Sequence, residues 1–188
     1  LGGVRGRELI TPSYSIKIIS SLIALENGIF EPEDSTRTWS GEIFWNEDWN
    51  KDIDFSEAFR TSCVWYYRQV ADDIGKDMMQ KELEKLQYGN CDISDWEGRL
   101  NTNNNNRALT GFWIESSLMI SPKGQVEVME RIFGDNSDYS EETLNEMFVQ
   151  SANTKHGTVE GLEEKLGLFV ELCEAGELSF DVSEVKTK

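Results

Sequence analysis

The chain has 188 residues, of which 38% are hydrophobic and 11% are aromatic, so we expect one globular domain with a sizeable core. Its formal net charge of -17 argues against polyanionic partners, namely nucleic acids and anionic membrane surfaces. A small anionic molecule is still compatible with this charge if a few lysines line one cleft. No apolar run is long enough to span a membrane. The oligomeric state stays open.

The first predicted helix begins near Thr11 and ends at Gly28. Thr11 can cap this helix, Pro12 suits its first position, and Gly28 provides a left-handed stop. Residues 16–25 are apolar on nearly every face, which predicts a helix inside the core. Burial there would push the Lys17 amine toward its neutral, basic form. Two alternatives are that the Lys17 side chain reaches water from the helix end or pairs with a carboxylate.

Helices with polar connections are predicted for the middle of the chain. Gly75 separates two of them, and Ser121-Pro122 is a typical helix start. The predicted helices cover residues 56–61, 64–74, 76–86, 123–133 and 140–150.

Two connecting segments have distinctive compositions. Trp45 and Trp49 stand among acidic residues, and we interpret both as core aromatics rather than ligand contacts. Residues 92–110 are polar, with low complexity at residues 103–106, which predicts an exposed, variable loop.

The cysteines and the single histidine do not suggest a metal centre. Cys63, Cys91 and Cys173 are widely spaced without a metal-binding pattern, so we expect buried free thiols. One histidine, His156, cannot build a multi-histidine site. We therefore predict no metal.

The C-terminal part changes to a strand-like period. Residues 166–173 and 178–182 alternate like two strands of a hairpin, and residues 155–158 are a further edge strand. The predicted class is α+β, with an antiparallel sheet and a mostly helical lobe. We expect a single domain over residues 1–188, with the helical lobe at about 29–150 and the sheet lobe formed by about 1–28 and 151–188.

Four short patterns occur in an order and spacing that carry chemistry together. Each is weak alone, because three-residue matches arise by chance. The patterns are Lys17 on the first turn of a buried helix, Ser62-Cys63-Val64 between two helices, Tyr88-Gly89-Asn90 followed by FWIESSLMISPKGQ from Phe112, and Lys155-His156-Gly157-Thr158.

As an ordered set, these patterns resemble the serine β-lactamase and penicillin-binding protein superfamily. They are most similar to class D β-lactamases and the related antibiotic-sensor domains. The similarity runs from about residue 12 to residue 179 and includes KIISSLIALENG, WNKDIDFSEAFRTSCVWYYRQVADDIG, YGNCDIS and FWIESSLMISPKGQ. The resemblance implies a three-layer α/β/α fold and β-lactam binding and hydrolysis through a serine acyl-enzyme.

The resemblance implies a lysine general base and a group that modifies it. In the family this lysine reacts with carbon dioxide to form a carbamate, which implies Lys17 as the base and no other cofactor. In the family a tryptophan hydrogen-bonds the carbamate, and the resemblance implies that Trp113 has this role. In the family a serine passes a proton to the leaving nitrogen, and the resemblance implies that Ser62 has this role. A further family residue shields the lysine from water, which implies Val64.

The substrate-binding strand has its own implied residues. The family's K-[TS]-G lysine binds the substrate carboxylate, which implies Lys155, with His156 and Gly157 completing the triad. In the family two backbone N–H groups form the oxyanion hole, and the resemblance implies that Tyr14 and Thr158 supply them here.

The chain departs from the family at the nucleophile. The family places its serine three residues before the lysine, where this sequence has Tyr14. A phenol with a pKa of about 10 and a bulky ring is a poor replacement. Ser13 is four residues from Lys17, on the same helix face, and is the candidate nucleophile. Ser15 would lie roughly opposite.

Other departures concern the sheet. His156 replaces the middle residue of the triad, and Glu171 stands where the family has a glycine. We expect this sequence to lack the family's N-terminal strands and its C-terminal strand and helix. The sheet would then be incomplete unless residues outside this segment, or a partner, supply the missing strands. The resemblance also implies work outside the cytoplasm, with a leader that is not in this sequence.

Three hypotheses follow. The first is an active class D enzyme in which Ser13 or a shifted helix start supplies the nucleophile. The second is a non-hydrolytic penicillin-recognising sensor or degenerate pseudoenzyme that keeps the pocket. The third is a structural remnant in which Lys17 pairs with an acid and Lys155 is a surface lysine.

Overall fold

The structure is a computed structural model, and it describes residues 15–98, 106–114 and 117–152. Backbone pairing between segments in this part is limited to isolated bridges, and the regular elements are helices. The α-helices are α1 (Ser15–Glu26), α2 (Phe55–Thr61), α3 (Val64–Ile74), α4 (Lys76–Lys85), α5 (Pro122–Phe133) and α6 (Glu141–Ala152), with short 3-10 helices at Glu47–Trp49 and Arg107–Leu109. None of these described helices has the length and apolar character needed to cross a membrane.

The predicted sheet lies outside the described residues. The strand-like segments at 155–158, 166–173 and 178–182 fall there, and so does the chain before Ser15. The division into a helical lobe and a sheet lobe therefore stays a prediction.

Helix α1 lies at the centre of the described core. It contacts α3, α4 and α6, and its buried residues occupy nearly every face, as the sequence predicted. A helix surrounded in this way needs no polar face, since packing rather than water covers it. At its C-terminus, the Glu26 carboxylate accepts hydrogen bonds from the backbone N–H and hydroxyl of Ser140, which attaches α1 to the start of α6.

The predicted helix boundaries at Ser121-Pro122 and at Gly75 are confirmed, and the other described helix ends lie within two residues of the predicted ones. Ser121 caps α5 by accepting from the Gly124 N–H, with Pro122 in the first turn. Gly75 separates α3 from α4 with a φ of 77°, a conformation that glycine adopts without steric cost. Asp54 caps α2 by accepting from the Glu57 N–H.

The long connection between α1 and α2 corrects one prediction. Trp49 is buried, but Trp45 is 80% exposed, so only one of the two tryptophans is a core residue. The Trp45 ring lies against Trp49, with ring centroids 5.2 Å apart. The Trp45 ring therefore packs on the outer side of the buried Trp49 ring and leaves most of its own surface in solvent.

The prediction of an exposed loop at residues 92–110 is wrong at its ends. Trp96 stacks on Phe112 with ring centroids 4.9 Å apart, and Ile93 and Thr110 are buried. The Arg68 guanidinium on α3 also binds the Glu97 carboxylate at 3.1 Å. These contacts hold both described ends of the segment on the helical core, which the polar composition did not indicate.

Candidate functional site

Lys17 is buried on the first turn of α1, with 7% of its surface exposed. Its Nζ donates a hydrogen bond of 2.6 Å to the backbone carbonyl oxygen of Ser62 and lies 5.8 Å from the centre of the Tyr67 ring. The alternative in which Lys17 reaches bulk water from the helix end is therefore wrong. Residues 45 positions apart in the sequence meet at this contact.

Ser62 terminates α2 in a strained conformation. Its φ and ψ are 54° and 43°, in the left-handed region that residues with a side chain rarely adopt. The turn is stabilised because the backbone N–H groups of Ser62 and Cys63 both return to α2 carbonyls, with the Cys63 N–H donating to Ala58 at 2.9 Å. A left-handed residue is a common helix terminator, so this conformation shows how α2 ends, and the catalytic role of Ser62 stays a prediction.

Two indoles brace the joint between α2 and α3. Trp49 Nε1 donates to the carbonyl of Thr61 at 3.1 Å, and Trp65 Nε1 donates to the carbonyl of Trp49 at 2.9 Å. Both rings are buried, so these hydrogen bonds satisfy polar groups that water cannot reach. The position of Ser62 is thereby tied to the preceding loop and to the following helix.

The thiol between Ser62 and Val64 is not a nucleophile. Cys63 is fully buried, and burial raises its pKa to about 12, although hydrogen bonds from the backbone N–H groups of Tyr66 and Trp65 act in the opposite direction. A thiol in this state stays protonated and unreactive at neutral pH. Cys63 is the buried free thiol that the sequence predicted, whereas Cys91 is half-buried and Cys173 lies outside the described residues.

The Tyr88-Gly89-Asn90 turn joins α1 to the segment that contains Trp113. The Tyr88 hydroxyl and the Ser15 hydroxyl lie 2.8 Å apart, which places Ser15 against this turn. The Asn90 backbone N–H donates to the Met119 carbonyl, and the Met119 N–H donates to Asn90 Oδ1, each at 2.9 Å. The two parts of the third sequence pattern, the Tyr88-Gly89-Asn90 turn and the stretch that begins at Phe112, are therefore in direct contact.

Trp113 is almost fully buried, and so is the polar Nε1 atom of its indole ring. Its ring packs edge-on against Phe112, with centroids 5.0 Å apart, and a side chain at Gly111 would overlap it. Among the described residues, Trp113 Nε1 has no hydrogen-bond partner. A buried N–H without a partner costs about 1–3 kcal/mol, so this donor suits an acceptor supplied from elsewhere.

The structure places some predicted site residues and not others. Lys17 and Ser62 are in contact, Val64 begins α3 beside them and is half-buried, and Trp113 belongs to the same buried core. The remaining predicted residues lie outside the described residues: Ser13, Tyr14, Lys155, His156, Gly157 and Thr158.

Sequence reasoning missed two residues that contact Lys17. Ser21 donates its hydroxyl proton to the Lys17 carbonyl at 2.7 Å, and the Tyr67 ring lies beside the Lys17 amine. The signal for Ser21 was present, since a serine four residues after a lysine in an apolar helix lies on the same face. No local pattern points to Tyr67.

Family comparison agrees with the described fold. The model of the penicillin binding protein transpeptidase domain matches residues 10–166. A class D β-lactamase from Bacillus subtilis has a similar structure, with a TM-score of 0.68 and 29% identity, over 80% of this chain and 58% of that one. The C-terminal domain of the Bacillus licheniformis BlaR penicillin-receptor gives a TM-score of 0.66 and 28% identity, over 77% and 54%. This chain belongs to the penicillin binding protein transpeptidase family.

Curated relatives include both enzymes and a regulator. "Probable beta-lactamase YbxI" of Bacillus subtilis (strain 168) is 34% identical over 128 residues, which are 68% of this chain and 43% of that protein. "Beta-lactamase OXA-19" of Pseudomonas aeruginosa is 31% identical over 141 residues, or 75% and 48%. "Regulatory protein BlaR1" of Bacillus licheniformis is 30% identical over 133 residues, or 71% and 20%. The chain thus spans half or less of each of these relatives.

Proposed function

We propose that this domain binds β-lactams at a site built around Lys17 and Ser62 and reacts with them through an acyl-enzyme. The observation that carries the proposal is the 2.6 Å contact between the buried Lys17 amine and the Ser62 carbonyl. It joins two of the four sequence patterns that the family uses together. The relatives named as β-lactamases and as a penicillin receptor support the same substrate class.

We assign Lys17 the role of general base because its amine is buried. Removal from water disfavours the ammonium form, and a base must be neutral to accept a proton. A neutral amine still carries N–H groups that can donate to the Ser62 carbonyl. We assign the Ser62 hydroxyl to proton transfer toward the leaving nitrogen, and Val64 to shielding the amine from water.

Trp113 fits the family's modification of the lysine. Carbon dioxide bound to the Lys17 amine would supply a carboxylate, which is a stronger hydrogen-bond acceptor and a base of its own. Trp113 Nε1, which has no hydrogen-bond partner within the described part of the chain, is a donor suited to such an acceptor. Lys17 would hold the group covalently, and Trp113 would orient it.

The remaining roles are proposed from the family pattern. Lys155 would bind the substrate carboxylate, with His156 and Gly157 beside it, and Thr158 and Tyr14 would supply the oxyanion-hole N–H groups. We place the protein's work outside the cytoplasm on the same basis.

The identity of the nucleophile separates two versions of this function. Tyr14 occupies the family serine position, and Ser13, four residues before Lys17 in the sequence, is the candidate nucleophile. If Ser13 reacts and its acyl-enzyme is then hydrolysed, the domain is a hydrolase. If the adduct is stable or no residue reacts, the domain is a non-hydrolytic penicillin-recognising sensor or a degenerate enzyme, an alternative supported by Tyr14 and by the BlaR1 similarity.

Chromogenic cephalosporin and fluorescent penicillin test these versions together with intact mass. Turnover supports the hydrolase, whereas a stable adduct or a noncovalent complex supports the sensor. Loss of the adduct in Ser13→Ala would assign the nucleophile. Tyr14→Ser is expected to acquire or increase acylation, with Lys17→Ala in the same background as the inactive control. If no variant binds either probe, β-lactam recognition is wrong and the structural remnant is left.

A further inference from the structure

Two hydroxyl groups connect α3 to the backbone of Lys17. Ser21 Oγ donates to the Lys17 carbonyl oxygen at 2.7 Å and lies 2.9 Å from the Tyr67 hydroxyl. Because the single Ser21 hydroxyl proton is already donated, the Tyr67 hydroxyl must be the donor to Ser21. The direction is therefore fixed: Tyr67 donates to Ser21, and Ser21 donates to Lys17.

Tyr67 is suited to act only as a donor. Its side chain is almost completely buried, and burial raises the pKa of its phenol well above the ordinary value, so that it keeps its proton at any working pH. Ser21 is also fully buried. Buried hydroxyls whose partners are all satisfied restrict a site to one arrangement, because every alternative leaves a polar group unpaired.

The same tyrosine also contacts the other end of the lysine. The Tyr67 ring centre lies 5.8 Å from Lys17 Nζ, so the ring packs beside the amine. Its backbone N–H donates to the Cys63 carbonyl at 3.3 Å, one residue after the carbonyl that accepts from Lys17. The carbonyl and the ring that face the amine thus belong to one structural unit, the joint between α2 and α3.

We propose that Tyr67 and Ser21 are positioning residues for Lys17. Their hydroxyl chain fixes α3 against the Lys17 backbone, and the Tyr67 ring and the Ser62 carbonyl then hold the amine in one rotamer. This inference deepens the proposed function and rests on it for its catalytic meaning. The geometric part stands independently, because it concerns the Lys17 side chain without substrate.

The test uses the full chain labelled with [ε-13C]lysine. The two ε-methylene protons of Lys17 give separate NMR signals when the side chain is fixed and one averaged signal when it rotates freely. Loss of the signal in Lys17→Arg provides the assignment. The variants are Tyr67→Phe, which keeps the ring, and Ser21→Ala, together with the double variant.

Tyr66→Phe is the matched control. Tyr66 is equally buried, and its hydroxyl donates to the Ser35 carbonyl at 2.9 Å, so the substitution also removes one buried hydrogen bond. We expect separate ε signals in the unaltered chain and in Tyr66→Phe, and averaged signals in both test variants. Acylation by fluorescent penicillin should fall about 10-fold in each test variant, as one hydrogen bond implies. The double variant should be no slower than either single one, since the two hydroxyls act as a unit.

The outcomes separate the two proposals. Separate ε signals that persist in Tyr67→Phe and Ser21→Ala would overturn the positioning role, as would an equal collapse in Tyr66→Phe. If the unaltered chain fails to react with penicillin but its ε signals respond as expected, the proposed function fails and the positioning role stands.

Discussion

Substitution of Ser62 by glycine should stabilise the fold while weakening the reaction with β-lactams. Ser62 has a φ of 54°, and a side chain in this left-handed region costs about 1–2 kcal/mol. Glycine removes that cost. It also increases the conformational entropy of the unfolded chain, which lowers the free energy of unfolding by about 0.4–1 kcal/mol and offsets part of the gain. The expected net gain in the free energy of unfolding is about 1 kcal/mol.

Urea denaturation followed by tryptophan fluorescence measures this gain. With a urea dependence of about 2 kcal/mol per molar, the midpoint of Ser62→Gly should rise by about 0.5 M. Ser62→Ala removes the hydroxyl but keeps the strained side chain, so its midpoint should not rise. Both variants should lose the same factor in penicillin acylation, because both lack the hydroxyl that we assign to proton transfer.

Gln87 provides the matched control for strain outside the site. Its φ is 52°, it is exposed, and it follows α4 in a turn. Gln87→Gly should therefore stabilise by a similar amount without changing penicillin acylation. A gain in Gln87→Gly without one in Ser62→Gly would refute the strain argument for Ser62. Unchanged acylation in Ser62→Gly would refute its catalytic role.

Three further predictions follow from other contacts. Gly89→Ala should lower the free energy of unfolding by about 3 kcal/mol, because its φ is 57° and the new methyl group would overlap the Met119 carbonyl; an unchanged urea midpoint would contradict this. The hydrogen bond from Arg60 holds the pKa of Glu57 below its ordinary value, although burial opposes this effect. That stabilisation is present above about pH 4.3 and is lost as the pH falls through the lower folded pKa, so Glu57→Gln should cost less than about 1 kcal/mol at pH 7, and this cost should shrink as the pH is lowered below about 4.3. Iodoacetamide should leave Cys63 unmodified in the folded chain and modify it in urea, as peptide mass mapping would show; labelling of the folded chain would mean that the site opens.

Local chemistry explains why part of the fold was predictable. Helix caps and stops act within a few residues, so Ser121, Pro122 and Gly75 marked their helix ends in the sequence itself. Likewise, α1 is apolar around its whole circumference, which allows no stable position except the core. Local composition did not predict correctly how buried Trp45 and the ends of residues 92–110 are. Burial depends on which distant residues pack against a segment, and local composition does not specify those residues.

The sequence by itself determined the order of the four patterns, the buried environment of Lys17 and the unusual Tyr14 before it. Only the tertiary structure decided what the lysine contacts: the Ser62 carbonyl and the Tyr67 ring. The physical reason is range. Propensity, capping and periodicity act over one or two helical turns, whereas these contacts join residues about 45 positions apart, and only the packing of α3 on α1 brings them together.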